Sequence, residues 1–163
     1  MPTPTYNCIA TRTVETAAAT ITIESIPATF TDLILIVQGT LSSGGTGSAE
    51  IRVNGDTGSN YSATQLDGGG STAASYRDRN TTSSNIGIVR SSEQSNSIFH
   101  FQNYANTTTY KTILARGNDG LGYIRAAVGL WRNTNAINSI SIYNSSYTFA
   151  VGTTLSLYGI KAE

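Results

Sequence analysis

The stretch Ala49-Glu50-Ile51-Arg52-Val53-Asn54-Gly55 carries the pattern that decides the fold. Its apolar residues stand at every second position, which places their side chains on one face of a β-strand. Asn-Gly follows at once, and both residues tolerate the positive φ angles that a two-residue hairpin turn requires. The stretch therefore predicts a half-buried strand that ends in a hairpin turn.

Strand-like patterns recur on both sides of this stretch. Residues 20–24 alternate in the same way, whereas residues 33–37 are all apolar and predict a central strand that is covered on both faces. Further strands are predicted at 85–90, 98–104, 109–115, 124–131, 136–143 and 153–160. In 98–104, Phe99 and Phe101 share one face of the strand and His100 takes the other.

Polar, turn-rich segments separate these strands. The glycine-rich stretches 42–47 and 68–71 predict flexible loop tips, and residues 67–85 form the longest polar stretch, which predicts a long loop. About nine or ten short strands without an amphipathic helix predict an all-β fold, an antiparallel β-sandwich of jelly-roll type. The length of 163 residues fits one domain, which we place at 8–163 behind an extended N-terminal arm at 1–7 that carries two prolines.

The balance of charge argues against several classes of partner. Ten basic and ten acidic residues give a formal net charge of zero, and the basic residues are scattered along the chain. Because nucleic-acid binding and electrostatic membrane anchoring need a basic surface, we expect neither a nucleic-acid nor a membrane partner. The first residues lack an apolar signal segment and the longest apolar run is 33–37, so we expect synthesis in a cytosol without export.

Residue types that carry chemistry are scarce. His100 is the one histidine, and its place beside two phenylalanines predicts a structural role, either a hydrogen bond across the sheet or a subunit contact. Cys8 is the one cysteine and is predicted to be a small buried apolar residue. One histidine and one cysteine do not make a zinc site, and no pair of acidic residues can be chosen for glycoside cleavage. We therefore expect no enzymatic activity, no cofactor and no metal site.

The oxygen-rich segment 54–60 leaves two interpretations open. It could hold a calcium ion, but Gly58 and Ser59 stand where the EF-hand spacing needs a ligand and a glycine. We favour a tight turn that is held by hydrogen bonds to asparagine and aspartate side chains.

Five segments follow one another in an order that is more specific than any one of them. They are 25–33 (SIPATFTDL), 51–62 (IRVNGDTGSNYS), 103–112 (NYANTTTYKT), 131–140 (WRNTNAINSI) and 155–160 (LSLYGI). In order and spacing, over nearly the whole chain, they resemble a β-domain found in structural proteins of tailed bacteriophages, especially phages of aquatic bacteria.

The resemblance implies a virion protein, a jelly-roll-like sandwich that assembles as a homotrimer in the cytoplasm of the host bacterium. Because the domain uses almost the whole chain and leaves no fibre shaft, we expect a capsid decoration (cement) protein. Such a protein stabilises the shell through contacts with the major capsid protein and with other virion proteins. The alternative is a tail-fibre or receptor-binding module that recognises a host surface glycan.

The candidate contact residues lie in the predicted arm, in two glycine loops and at one tyrosine. They are Pro2, Thr3, Pro4, Thr5, Tyr6, Asn7, Gly44, Gly45, Gly69, Gly70 and Tyr76. An extended arm can add as a strand to a neighbouring subunit, and tyrosine is common in subunit contacts. The resemblance supplies no catalytic, cofactor-binding or metal-binding residue.

Overall fold

The computed structural model describes residues 5–161, and within them the chain forms strands and no helix. The strands are β1 (Tyr6–Thr13), β2 (Thr20–Ile23), β3 (Asp32–Gly39), β4 (Thr46–Gly47), β5 (Glu50–Val53), β6 (Tyr61–Gly69), β7 (Thr72–Thr81), β8 (Ser84–Asn85), β9 (Val89–Arg90), β10 (Ser95–Phe101), β11 (Lys111–Asp119), β12 (Tyr123–Trp131), β13 (Ile140–Tyr143) and β14 (Thr154–Ile160). Over this range the structure contains no helix that could cross a membrane.

Two antiparallel sheets form the body of the fold. The large sheet has eight strands in the order β1-β14-β3-β10-β11-β12-β6-β7, and the small sheet has four in the order β2-β13-β5-β8. A third, minor sheet pairs β4 with β9. The predicted all-β fold, an antiparallel β-sandwich of jelly-roll type, is confirmed.

One face of the large sheet, which we call the inner face, packs against the small sheet. Leu33, Leu35 and Phe99 of the large sheet and Ile51 and Ile142 of the small sheet are fully buried in one cluster. Burial of one such side chain contributes about 1.5–3 kcal/mol, so this shared core is the main source of stability. The opposite face of the large sheet is called the outer face.

The Asn-Gly turn forms as predicted, but it does not make a hairpin. Asn54 and Gly55 have φ angles of 53° and 65°, and the Asp56 amide donates to the Val53 carbonyl at 3.0 Å, which closes the turn. However, β5 lies between β13 and β8 in the small sheet, whereas β6 belongs to the large sheet. Because both edges of β5 are already paired, the turn carries the chain from one sheet to the other.

The predicted strand at 85–90 is two short strands instead. β8 pairs with β5 at the edge of the small sheet, and β9 pairs with β4. Between and within them Ile86, Ile88 and Val89 are all buried, so burial does not alternate along the segment. A Cβ on Gly87 would stand 2.6 Å from the Phe99 ring, which shows how closely this segment approaches the large sheet. The segment therefore changes partner rather than continuing as one strand.

The prediction of a long loop at residues 67–85 is wrong. Most of this segment forms a hairpin in which β6 pairs with β7 from Tyr61↔Thr81 to Gly69↔Thr72, around a turn where Gly70 has a φ angle of 66°. Eight of the ten residues of β7 are exposed and the other two are half-buried. Because neither face of β7 is buried, its sequence lacks the apolar alternation by which strands are predicted.

The predicted arm is partly a strand. Tyr6 and Asn7 belong to β1 and pair with Ile160 and Gly159 of β14, so the ordered sheet begins before residue 8. Pro2, Thr3 and Pro4 lie outside the described residues. Cys8, which is predicted to be buried, is exposed, because β1 is an edge strand that no other layer covers at this point.

We expect Leu35→Ala to lower the free energy of unfolding by about 2–5 kcal/mol, because it opens a cavity in the shared core. Leu66, which is 61 % exposed on the outer face, provides the control. Leu66→Ala should change the free energy of unfolding by less than about 0.5 kcal/mol. Urea unfolding, followed by the fluorescence of Trp131, measures both variants. Equal losses would contradict the assignment of inner and outer faces.

Candidate functional site

The outer face of the large sheet is the most unusual surface of the molecule. The sequence predicts that β3 is covered on both faces, but Ile34 and Ile36 on its outer side are only half-buried. Ile36 stands beside Ile98 of β10, and Leu114 stands beside Val128 of β12. Single exposed apolar residues are ordinary, whereas neighbouring ones on one face indicate an interaction surface.

Three arginines share this outer face with the apolar side chains. Arg116 lies on β11 beside Ile98, and Arg77 and Arg79 lie on β7 beside Thr64 and Ser62. The ion pairs found within residues 5–161 involve other basic side chains: Arg90 with Asp119, Arg125 with Asp67 and His100 with Asp32. The guanidinium groups of Arg77, Arg79 and Arg116 are thus left without a carboxylate partner in the described part of the chain.

A groove of about 430 Å³ lies at the β7 side of the outer face. Its walls are formed by residues of β6, β7 and β12 together with Arg132, and they include Ser62, Thr64, Arg77, Asp78, Arg79, Asn80, Val128 and Leu130. Arg132 is held in place because its Nη2 donates to the Asn80 side chain at 2.8 Å and to the Ser59 carbonyl at 2.6 Å. The groove therefore combines cationic, hydroxyl and apolar side chains.

A second groove, of about 330 Å³, contains the one histidine. His100 Nε2 lies 2.8 Å from Asp32 Oδ2, and Asp32 Oδ1 accepts a 2.7 Å hydrogen bond from the Asn103 amide. Tyr6, Leu114 and Arg116 line the same groove. The predicted hydrogen bond of His100 across the sheet is confirmed. A histidine that is oriented by a carboxylate and faces a groove also has the geometry of a proton-transfer pair.

The predicted glycine contacts meet at one end of the sandwich. Gly69 and Gly70 lie in the β6–β7 hairpin, where Gly69 pairs with Tyr123 at the start of β12. Gly44 and Gly45 lie next to the Ser91 segment, because the Ser91 amide donates to the Gly45 carbonyl at 3.1 Å. This segment is joined to the β11–β12 turn by the ion pair of Arg90 and Asp119. We call this region the glycine-loop end.

The remaining predicted contacts within the described residues are not part of that end. Tyr76 lies on β7, where it pairs with Gln65 and is 51 % exposed. Tyr6 and Asn7 lie at the other edge of the sheet, on β1, and Thr5 precedes them. The structure therefore distributes the predicted contact residues over both edges and one end of the large sheet.

A buried polar network supports the β6–β12 region, and sequence patterns did not predict it. Arg125 donates to Asp67 through Nε at 2.8 Å and Nη2 at 2.9 Å, and the Tyr123 hydroxyl donates to Asp67 at 2.6 Å. Burial by itself would raise the pKa of the Asp67 carboxyl, but the hydrogen bonds from Arg125 and Tyr123 hold this pKa below its usual range. Because the partners belong to strands far apart in sequence, no local motif identifies them.

The oxygen-rich segment 54–60 is organised around Asp56. Asp56 Oδ1 accepts from the Gly58 amide at 2.7 Å, and Oδ2 accepts from Asn60 at 2.8 Å and from Trp131 Nε1 at 2.7 Å. The favoured turn with side-chain hydrogen bonds is confirmed. In residues 5–161, no group of three or more histidine, cysteine, aspartate or glutamate side chains is arranged to hold a metal ion.

Comparisons with known proteins identify structural neighbours only. No family model and no curated protein matches the chain. A mutant of the alginate lyase Aly36B, solved in complex with an alginate trisaccharide, is 10 % identical over 93 % of this chain and 80 % of that chain, with a TM-score of 0.37. The marine PL-14 alginate lyase from Aplysia kurodai is 10 % identical over 85 % of this chain and 72 % of that chain, with a TM-score of 0.38.

These neighbours correct one expectation. The sequence-based expectation of no enzymatic activity is wrong as it stands, because the solved structures to which the chain is similar are enzymes. At 10 % identity the likeness concerns the arrangement of sheets, and neither residues nor a reaction are transferred by it.

We expect the Asp67 network to make stability depend on acidity. The folded-state pKa of Asp67 is below the unfolded value, so its contribution is present at neutral pH and is lost as the pH falls below about 4. Asp67→Asn should lower the free energy of unfolding at pH 7 by about 3–5 kcal/mol, because it leaves the Arg125 charge buried and unpaired. It should also flatten the loss of stability between neutral and acidic pH.

Asp78→Asn is the control, because Asp78 forms no ion pair among the described residues. Urea unfolding at a series of pH values measures all three proteins. An acid-dependent slope that is equally steep in wild type and Asp67→Asn would contradict the role assigned to Asp67.

Proposed function

We propose that the chain is a structural protein of a bacteriophage virion, a trimeric capsid decoration protein that contacts its neighbours through the β6–β7 hairpin. The observation that carries this proposal is that β7 is a long, exposed edge strand. This strand is ten residues long, is the last in the large sheet, and is exposed along nearly its whole length.

A free edge of this kind presents unpaired backbone donors and acceptors to any extended chain. Native proteins shorten, cover or charge such edges, because an open edge invites pairing with other molecules. β7 is long and uncovered, and its charges are confined to Arg77, Asp78 and Arg79. Residues 72–76 carry no charge, so the free edge of this half of β7 is open to an extended segment of a neighbouring copy.

The side chains around β7 suit such a contact. Tyr76 presents an apolar ring and a polar hydroxyl, a combination that is enriched at protein interfaces. It is 51 % exposed, and it lies on the same hairpin as Gly69 and Gly70. In a three-fold ring the contacts are head-to-tail, so β7 of one copy meets a different surface of the next.

The virion assignment is supported by the five segments that resemble a phage structural β-domain. All five contribute side chains to the shared core, among them Leu33, Ile51, Tyr104, Trp131 and Leu157. A decoration protein needs many repeated weak contacts, because avidity multiplies each of them over the shell. An open edge strand that recurs in every copy is a suitable source of such repeated contacts.

Recognition of a host surface glycan is the second candidate function. It is favoured by the two grooves on the outer face, where exposed arginine, hydroxyl and tyrosine side chains surround an apolar floor. Binding sites for small polar ligands combine apolar walls with a few polar groups in this way.

We expect the purified protein to sediment at three times the chain mass of 17.2 kDa, and Tyr76→Glu to sediment as a monomer. The substitution places a charge in the proposed contact, where it loses its hydration. Tyr110→Glu is the matched control, since Tyr110 is 55 % exposed and lies outside the hairpin, and it should remain trimeric. Far-UV circular dichroism verifies that each variant is folded.

In purified virions we expect many copies per particle in a fixed ratio to the major capsid protein. A monomeric wild-type protein that never associates with capsids would falsify the decoration proposal. A copy number that matches the tail instead would favour glycan recognition.

A further inference from the structure

We infer that the outer face of the large sheet binds an acidic polysaccharide, one that carries carboxylate or sulfate groups along its chain. This inference rests on the second candidate function, glycan recognition, and it adds the chemical class of the ligand and the residues that bind it. Charged side chains are distributed unevenly between the interior and the outer face of the fold.

The chain has no net charge, yet its outer face does. Asp67 and Asp119 are buried, with 6 % and 3 % of their surface exposed, and they are bonded to Arg125 and Arg90. Each of these pairs removes one positive and one negative charge, so the excess of positive charge on the outer face comes from the position of Arg77, Arg79 and Arg116, whose guanidinium groups remain exposed there. A neutral sequence therefore produces an electropositive surface.

Two carboxylates lie near these arginines. Asp32 accepts hydrogen bonds from His100 Nε2 and from the Asn103 amide. Asp78 lines the same groove as Arg77 and Arg79, but within residues 5–161 it forms no ion pair with either of them. The arginines consequently have unused donors for an external anion.

The spacing of the arginines favours a polymer over a single anion. Arg77 and Arg116 lie on strands β7 and β11, which are separated by two intervening strands. At about 4.8 Å per strand the two positions are roughly 14 Å apart, too far for one phosphate or sulfate to bridge. A third groove, of about 470 Å³, lies beside Leu66 and Ile124, and Arg116, Asp67 and Arg125 also line it. An extended chain with repeated anionic groups matches this arrangement.

The floor of the surface suits a saccharide. Val128 pairs with Thr64 and Leu130 pairs with Ser62 on the neighbouring strand, so apolar and hydroxyl side chains lie next to one another. Sugar rings likewise present apolar C–H faces and hydroxyl edges. Arginine binds carboxylate and sulfate through two parallel hydrogen bonds, which adds geometric selectivity to the attraction of charge.

Other polyanions fit less well. Proteins that bind single-stranded nucleic acids stack the bases on aromatic side chains, and no aromatic residue lines the groove that contains Arg77 and Arg79. The proposed subunit contact does not compete with this site, because Tyr76 alternates to the opposite face of β7 from Arg77.

The test measures binding of the trimeric protein to dextran sulfate, polygalacturonate, neutral dextran, poly-glutamate and single-stranded DNA by isothermal titration calorimetry. We expect binding to dextran sulfate and polygalacturonate, weakened by added salt, and none to neutral dextran. The double variant Arg77→Gln/Arg79→Gln should weaken this binding about tenfold or more. Arg12→Gln removes one exposed charge at the other edge of the sheet and should leave binding unchanged.

The outcomes separate this inference from the function on which it rests. Binding of neutral dextran as tight as that of dextran sulfate would overturn the acidic class while leaving glycan recognition in place. Absence of binding to every saccharide would overturn both. Equal affinity for poly-glutamate or DNA would overturn the assignment of a saccharide, and undiminished binding by the double variant would overturn the assignment of the site.

Discussion

The apolar contact between a sheet of eight strands and a sheet of four is the constraint on which the rest of the structure depends. It buries Leu33, Leu35 and Phe99 from one side and Ile51 and Ile142 from the other, and this common core holds both sheets in register. Four strands cannot cover eight, however, so part of the large sheet has to extend beyond its partner. β7 lies at one end of the large sheet, and neither of its faces is buried.

Where the small sheet ends, polar chemistry replaces apolar packing. Asp67, Arg125 and Tyr123 fill the inner side of β6 and β12 with hydrogen bonds, while Asp56 ties the β5–β6 turn to Trp131. In these contacts each buried charge has a partner, because a buried charge without a partner would strongly destabilise the fold. Arg77, Arg79 and Arg116 lie outside these networks and form no ion pair within residues 5–161. The positive charge of the outer face therefore comes from where these three arginines lie in the sheet.

The two candidate functions use different sides of the same hairpin. The proposed contact between copies of the chain uses the free edge of β7 and Tyr76, and the proposed contact with an anionic ligand uses Arg77 and Arg79 on the outer face. A protein on a virion surface can use both at once, since repetition of the subunit raises the avidity of each weak ligand contact. The pair of His100 and Asp32 lies on the same face, where His100 lines the second groove.

The sequence by itself determined the local features: the all-β class, the alternation of β10, the left-handed Asn54-Gly55 turn and the hydrogen bonds that Asp56 accepts from Gly58 and Asn60. These features depend on residues that are near one another in the chain, where period and turn chemistry are direct signals. Only the tertiary structure decided that β5 and β6 belong to different sheets, that 67–85 forms a hairpin, and that Ile34 and Ile36 stay half-exposed. Strand pairing is a contact between segments that are distant in sequence. The apolar pattern of a strand also does not show whether a second layer of structure covers one of its faces.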